Sequence, residues 1–392
     1  MGMKLRWITA VLALSLCGLT ACSSRSATQI ESGSGTLYVA TQGDTSIASY
    51  TVTLSSGALA LVGSAASTGS SPVAIALTPS LNALFVLNSG ASSISSYTVD
   101  SGGTLAATSA TTPTGGSQSL GLAIDPGGKF LFVANQVSSN ISVFSINGTT
   151  LTKVVGSPFT TIPAGSRLGT DPVALAVSPT GKFLYVANQL ANNVAAFSIS
   201  AAGALAPLGP LPYDVGTAPS GLAVTPSGAF LYVANSGTQN VSGFAICDKV
   251  VTSCSNANKP DGTLTQVPGS PFPAGEDPVA VAIDPAFNFL YVLDRGSNQV
   301  SEYSFGSGTG ILNSLSPGAV STGVTPVSFV IVAGATGTNA GSTTTEPTDY
   351  LYVANNGSST LSTFSLSTTT GLLDPVGTPL TTTSNPSAVG AN

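Results

Sequence analysis

Histidine is absent from this 392-residue sequence, and only four residues are cysteine. Histidine is the side chain that most often changes charge near neutral pH and most often ligates metals. A nucleophilic serine needs such a base beside it to be activated. The sequence therefore excludes a serine–histidine hydrolase, and we expect no metal and no cofactor.

Charge is also scarce. Acidic and basic residues make up 7% of the chain, with a formal net charge of −6, whereas about 25% is usual. No segment concentrates lysine or arginine, so the phosphate contacts that dominate nucleic-acid binding are missing. The sequence predicts no nucleic-acid partner, and a phosphorylated substrate would meet a repulsive field. The apolar content of 42% supplies a large core.

The N-terminus has the features of a bacterial export signal. Lys4 and Arg6 precede an apolar run too short to span a bilayer comfortably. The run ends in LTAC, which resembles a lipobox with Cys22 as the lipidated residue. We predict a signal peptide over 1–21 and a flexible tether over 22–35, hence an extracytoplasmic, lipid-anchored protein. The alternative is an ordinary secretory leader with an incidental cysteine.

Removal of the leader would leave two cysteines besides Cys22, namely Cys247 and Cys254. In an oxidising compartment two thiols so close in sequence favour a local disulfide bond. A zinc site is the weaker alternative, because two thiols without histidine are half of a structural site.

One strand-like phrase occurs seven times after the leader: LYVAT, LFVLN, LFVAN, LYVAN, LYVAN, LYVLD and LYVAN. The aromatic residues of these copies are Tyr38, Phe85, Phe132, Tyr185, Tyr232, Tyr291 and Tyr352. Successive copies start roughly 50 residues apart, which is typical of a propeller blade. The repeat predicts an all-β fold over 36–392, a single seven-bladed β-propeller of four-stranded antiparallel blades.

The repeat unit is clearest in the fourth copy. Pro172 opens an innermost strand over 173–177, a turn follows, and two further strands span 183–187 and 194–199. The first copy has no innermost strand before it, whereas residues 385–392 form an innermost strand without a blade. We therefore predict that the C-terminal strand completes the first blade and closes the ring.

The pattern P-x-A-φ-A-φ-x-P…G-K-F-L-Y-V-A-N, where φ is aliphatic, resembles the lactonase-like seven-bladed propellers, which include bacterial 6-phosphogluconolactonase. It also resembles the YVTN-repeat propellers of microbial surface proteins. The resemblance implies an active site at the channel mouth, built from histidine, glutamate and arginine. This sequence departs from that pattern because it has no histidine.

In a propeller the loops entering the innermost strand and those leaving the second strand share one face. Most positions of those loops are neutral, and the informative charged exceptions are Arg167, Asp171, Glu276, Asp277, Asp294 and Arg295. Lactone hydrolysis needs a base for water and a cation for the oxyanion. Glu276 is the candidate base, with Arg167 or Arg295 as the cation, and the three aspartates are candidate ligand-binding residues. The alternatives are solvated loop charges or a calcium site at Asp171, Glu276 and Asp277.

Asparagine follows the second strand in five blades, at positions 88, 135, 188, 235 and 355. Such recurrence favours a shared turn role over a binding ring. Without histidine and with few carboxylates, the composition also predicts that stability is nearly constant between pH 5 and 8.

Two functional hypotheses follow. The first is a non-enzymatic envelope propeller, expected to be a monomer, that binds a small molecule, a glycan or an envelope protein. The second is a lactone hydrolase that acts on an extracytoplasmic lactone without phosphate.

Overall fold

The computed structural model describes residues 34–108, 111–161, 170–209, 212–248, 261–284, 289–334 and 348–392. Every regular element in these ranges is a β-strand, and the strands form seven antiparallel sheets. In the same ranges, no helix has the length and apolar character needed to cross a membrane. The predicted signal peptide, Cys22 and most of the predicted tether lie outside the described residues, and the first strand begins at Ser34.

Each sheet is one blade, and its strands are labelled A to D from the channel outwards. The A strands of blades 1 to 7 are Pro386–Ala391, Pro72–Leu77, Ser119–Ile124, Pro172–Val177, Pro219–Val224, Pro278–Ile283 and Pro326–Val332. The B strands are Ser34–Thr41, Ala83–Asn88, Phe130–Asn135, Phe183–Asn188, Phe230–Asn235, Phe289–Asp294 and Thr348–Asn355. The C strands are Ser46–Thr53, Ser93–Val99, Asn140–Asn147, Asn193–Ile199, Asn240–Ile246, Gln299–Phe305 and Thr360–Ser367.

The D strands are continuous in two blades, Ala58–Ser67 in blade 1 and Leu312–Ser321 in blade 6. In the other blades strand D consists of two short segments, which are Leu105–Ala107 with Thr112–Pro113, Thr150–Lys153 with Phe159–Thr160, Leu205–Pro207 with Tyr213–Asp214, Leu264–Gln266 with Phe272–Pro273, and Leu373–Pro375 with Leu380–Thr381. These outer strands carry more exposed residues than the inner ones, as expected for the rim of a propeller.

The core lies between the blades. Strand B is apolar on both faces because a neighbouring sheet covers each face, and all six residues of Phe183–Asn188 are buried. The buried apolar residues form seven clusters, and each cluster joins two adjacent blades. The cluster between blades 7 and 1 contains both Val330 and Val39. Seven clusters for seven blades describe a closed ring.

The C-terminal strand closes that ring, as the sequence predicts. Pro386–Ala391 pairs antiparallel with strand B of blade 1, so that Val39 lies opposite Val389. All six residues of this strand are buried. Blade 1 therefore joins the first and last described strands of the chain in one sheet, which removes the open edges that a linear array of blades would have.

Candidate active site at the loop face

The D-to-A and B-to-C loops meet at one end of the propeller, which we call the loop face. The backbone ties the two loops together within each blade. In blade 2 the N–H of Ser89 donates to the carbonyl of Ser71 at 2.9 Å, and in blade 6 the N–H of Arg295 donates to that of Asp277 at 2.9 Å. The residue before strand A has a positive φ in six blades, 51° at Ser71 and 50° at Asp277. This shared geometry places the residue before strand A beside the residue after strand B.

The asparagine that ends strand B is a buried structural residue. Asn88 accepts a hydrogen bond from the N–H of Gly69 in the D-to-A loop at 3.1 Å. Its amide also donates to Ser95 of strand C at 2.9 Å. Asn355 makes the equivalent bonds in blade 7. In these two blades the asparagine thus links the D-to-A loop to strand C, which agrees with the predicted turn role. The amides of Asn188 and Asn235 also donate to strand C, but their Oδ1 atoms have no hydrogen-bond partner.

Blade 6 has aspartate at this position. Asp294 is fully buried, and Ser301 donates a hydrogen bond to its carboxylate at 2.6 Å. Burial raises the pKa of Asp294 to about 6, although hydrogen bonds from Ser301, Gln299 and the backbone of Gly275 favour the charged form. Asp294 is therefore an exception to the prediction that little titrates between pH 5 and 8. Composition gives no indication of which carboxylates are buried.

Three further charges stand on the two loops that Asp294 connects. Arg295 Nε donates to Asp277 Oδ2 at 2.7 Å, and both side chains are partly exposed. Glu276 is exposed, and its carbonyl accepts a hydrogen bond from the N–H of Gly296 at 2.9 Å. The N–H of Glu276 donates to Ser297 Oγ at 3.2 Å. Four of the six predicted charged residues are thus neighbours in blade 6.

Asp171 is not part of this cluster. Asp171 precedes strand A of blade 4, two blades away from Asp277 in the ring, and its carbonyl accepts from the N–H of Gln189 at 2.8 Å. Arg167 lies outside the described residues. No group of three His, Cys, Asp or Glu side chains in the described part of the chain is placed to hold a metal ion, and the shared calcium site considered for Asp171, Glu276 and Asp277 is not formed.

Amide side chains surround the mouth of the channel, and the sequence analysis did not single them out. Gln136 of blade 3 donates to Gln189 of blade 4 at 3.3 Å. Asn356 of blade 7 donates to the carbonyl of Pro386 in blade 1 at 3.1 Å. Each of these amides directly follows strand B, at the register position that Arg295 occupies in blade 6. The recurrence of amide residues directly after strand B was the sequence signal that could have identified them.

The channel itself is apolar towards the opposite face. A cavity of about 160 Å³ lies among the ends of the A strands, lined by aliphatic residues such as Ile75, Ile124 and Ile283. Asp125 also borders this cavity, but its carboxylate accepts hydrogen bonds from the N–H groups of Lys129 and Phe130 at 2.7 and 2.5 Å. Ser178 caps the corresponding turn of blade 4 in the same way. The polar chemistry of the channel is therefore concentrated at the loop face.

The predicted disulfide bond is described at one end only. Cys247 is buried and disulfide-bonded. Its predicted partner, Cys254, lies outside the described residues.

These features define the class of the molecule, a seven-bladed β-propeller with a cluster of charged residues at the blade 6 side of its channel mouth. The family model for lactonases with a seven-bladed β-propeller matches residues 3–101, 72–157 and 155–252, which together are more than half of the chain. The chain belongs to this lactonase propeller family. A comparison with curated proteins gives no match.

Solved structures share the fold. A protein of Bacteroides uniformis ATCC 8492 assigned as a 6-phosphogluconolactonase is 17% identical, with a TM-score of 0.75 over 92% of this chain and 99% of that one. The periplasmic gluconolactonase of Pseudomonas aeruginosa is 21% identical, with a TM-score of 0.71 over 92% and 99% of the two chains. At these identities the likeness shows the fold, and the activity must be argued from the site.

Proposed function

We propose that this protein hydrolyses an uncharged lactone at the loop face of blade 6. The observation that carries the proposal is the placement of an exposed carboxylate, Glu276, beside an arginine whose backbone and side chain are both fixed to the same loop. Arg295 uses Nε to bind Asp277, so its terminal amino groups still offer N–H donors. Membership of the lactonase family favours this reading over a binding scaffold.

The reaction needs only the groups of this cluster and water. Glu276 accepts a proton from a water molecule whose oxygen bonds to the lactone carbonyl carbon. The carbonyl oxygen becomes an oxyanion, and the guanidinium of Arg295 stabilises it. When the carbonyl re-forms, the ring C–O bond breaks and the leaving oxygen takes the proton from Glu276. The product is a hydroxy acid, which releases one proton to the solvent at neutral pH.

The charge of the cluster selects against phosphate. Glu276, Asp277 and Asp294 carry more negative charge near pH 7 than the single cation Arg295 neutralises. A phosphorylated lactone would be repelled by this surface. The carboxylate product would also be repelled, which favours its release.

The location of the reaction belongs to the same proposal. If Cys22 is lipidated, the propeller stands outside the cytoplasm on a short tether, where phosphorylated sugars are scarce and free lactones are the available class. The name of the Pseudomonas aeruginosa structure places a related fold with gluconolactonase activity in the periplasm. An extracytoplasmic, unphosphorylated lactone is therefore the substrate class that we propose.

The test is proton release by the purified full chain in weak buffer, with gluconolactone, γ-butyrolactone, muconolactone and 6-phosphogluconolactone measured against spontaneous hydrolysis. We expect turnover of an uncharged lactone and a loss of about 10²-fold or more in Glu276→Gln. Arg295→Ala is expected to lose a similar factor and to keep the fold, because a partly exposed ion pair contributes little to stability. Asp374→Asn, an exposed carboxylate on strand D of blade 7, is the matched control.

Rates equal to the background on every lactone would reject the hydrolase. The ring of amides at the channel mouth, which includes the Gln136–Gln189 pair, favours the second candidate in that case, a propeller that binds a neutral polyol or glycan. Calorimetric titration with envelope glycans would then test the binding hypothesis directly.

A further inference from the structure

The second residue after strand B follows a rule in five blades. In those blades it is a glycine that packs against the loop leading into strand A of the same blade. A β-carbon at these positions would lie 2.5 to 2.9 Å from atoms of that loop. The five residues are Gly43, Gly90, Gly237, Gly296 and Gly357.

Blades 3 and 4 break this rule with large apolar residues. Val137 and Leu190 occupy the position, and they are 60% and 61% exposed. They follow Gln136 and Gln189, whose side chains are hydrogen-bonded to each other, so the two turns are neighbours at the mouth. We call Val137 and Leu190 the apolar pair.

The apolar pair has no packing role that explains it. Side chains this exposed contribute little to the core, and single exposed apolar residues are ordinary. Two at the same register position of adjacent blades, where the other blades have glycine, are a localised feature. Val324 is a third exposed apolar residue of the loop face, 55% exposed, and it lies apart from the pair in blade 7, at the position that Glu276 occupies in blade 6. Half of the six exposed large hydrophobic residues in the described ranges thus stand on the loop face.

We infer that the substrate is an amphiphilic lactone, whose ring reacts at Glu276 and Arg295 while an aliphatic substituent lies across the mouth on the apolar pair. This inference rests on the proposed function. Two side chains are far too small an area for a stable protein interface, which buries about 800 Å² on each partner. A polyol would gain nothing from them. An alkyl chain fits, because each buried methylene group strengthens binding by up to about fourfold.

The experiment compares kcat/KM of the full chain for γ-butyrolactone, γ-octalactone and γ-dodecanolactone. The wild-type protein is expected to prefer the longer chains, by at least tenfold between the first and the last. The variant Val137→Ser/Leu190→Ser should lose most of that preference and keep its rate on γ-butyrolactone, because the reacting groups stand in blade 6. The control is Leu61→Ser/Val155→Ser, because these residues are also exposed but lie at the rim. Leu61 is on strand D of blade 1, and Val155 follows a strand D segment of blade 3.

Turnover without dependence on chain length would overturn the inference and leave the hydrolase intact, as would equal losses in the two double variants. If no lactone is turned over, the proposed function fails and the assignment of a lactone substrate fails with it, and saturation-transfer NMR with γ-dodecanolactone then tests the alkyl site alone. A signal that the Val137→Ser/Leu190→Ser variant loses and the control retains would support an alkyl site. No signal with the wild-type protein would reject it.

Discussion

The hydroxyl of Tyr352 in blade 7 donates a hydrogen bond to the carbonyl of Gly57 in blade 1 at 2.9 Å. Gly57 lies in the turn between strands C and D. The tyrosines at the same repeat position in blades 4, 5 and 6 reach the corresponding turn of the next blade, and these pairs are Tyr185–Gly262, Tyr232–Gly310 and Tyr291–Gly371. In these four blades the tyrosine of the repeated phrase therefore packs in the core and also donates a hydrogen bond to the next blade.

Replacement of Tyr352 by phenylalanine should lower the free energy of unfolding by about 1 to 3 kcal/mol, because a buried carbonyl loses its donor. The matched control is Tyr38→Phe. The Tyr38 hydroxyl is buried without a hydrogen bond of ordinary geometry, so its removal should be neutral or stabilising. Denaturant titration of both variants measures the difference. Equal losses would show that the hydroxyl contributes nothing beyond the ring.

The glycines of the C-to-D turns should be as restrictive as the tyrosines. Gly371 has a φ of +75°, and a β-carbon on it would lie 2.2 Å from the ring of Phe289 in the preceding blade. Gly377 has a φ of +62° with open space around it. Gly377→Ala should cost about 1 to 2 kcal/mol for the left-handed backbone. Gly371→Ala should cost about 1 to 3 kcal/mol more for overpacking, and thermal melts that coincide would refute this account.

Asp294→Asn should stabilise the protein at neutral pH. The folded-state pKa of about 6 lies above the ordinary aspartate value of 3.8, so the folded state binds the proton more tightly than the unfolded state. The stabilisation that this proton provides is complete below the unfolded-state pKa. That contribution is lost as the pH rises from about 4 through 6, and it amounts to roughly 3 kcal/mol at most. Asparagine restores the residue of the neighbouring blades and should remove this pH dependence. The difference between wild-type and variant unfolding free energies at pH 4.5 and 7.5 measures it, with Asp374→Asn as the control. A constant difference would contradict the assignment.

Ring closure should depend on Asp44 as well as on the last strand. Burial opposes ionisation of Asp44, but hydrogen bonds from Thr41, Thr383, Ser384 and Ser46 lower its pKa to about 2. Thr383 and Ser384 precede the C-terminal strand and bind the carboxylate at 2.7 and 3.0 Å. Asp44→Ala should therefore lower the melting temperature by several degrees. Deletion of residues 386–392 should abolish cooperative unfolding, and a truncated chain that melts like the parent would refute the closure mechanism.

The sequence was sufficient for the architecture because the repeat encodes it. The proline that opens strand A and the aromatic residue of strand B recur in register. The first blade lacks an innermost strand, and the unpaired strand at residues 385–392 was therefore predicted to complete it. The hydrogen bonds and the burial of the site residues could not be predicted from the sequence to the same degree. Asp294 stands at the recurrent asparagine position, which marks it as structural, but the sequence does not show that its carboxylate is fully buried while Glu276 is exposed. Burial depends on how the D-to-A loop folds over strand B.

Other parts of the loop face needed the structure for a different reason. The partners Gln136 and Gln189 stand 53 residues apart in the chain, and only the ring arrangement brings them together. The exchange of glycine for Val137 and Leu190 is visible in the sequence, but its meaning depends on knowing that the five glycines pack against neighbouring loops. Asp171 was grouped with the charged residues of blade 6 in the sequence, but it precedes strand A of blade 4, two blades away.

The tyrosine bonds between blades also divide the ring into two unequal parts. They occur at the four junctions from blade 4 to blade 1 through blade 7, whereas the next three junctions have the unbonded Tyr38 or the phenylalanines Phe85 and Phe132. Local opening should therefore begin at the junctions of blades 1 to 4, and amide hydrogens there should exchange sooner with deuterium. On this account Glu276 and Arg295 stand in the part of the ring that should open last, and Val137 stands in the part that should open first.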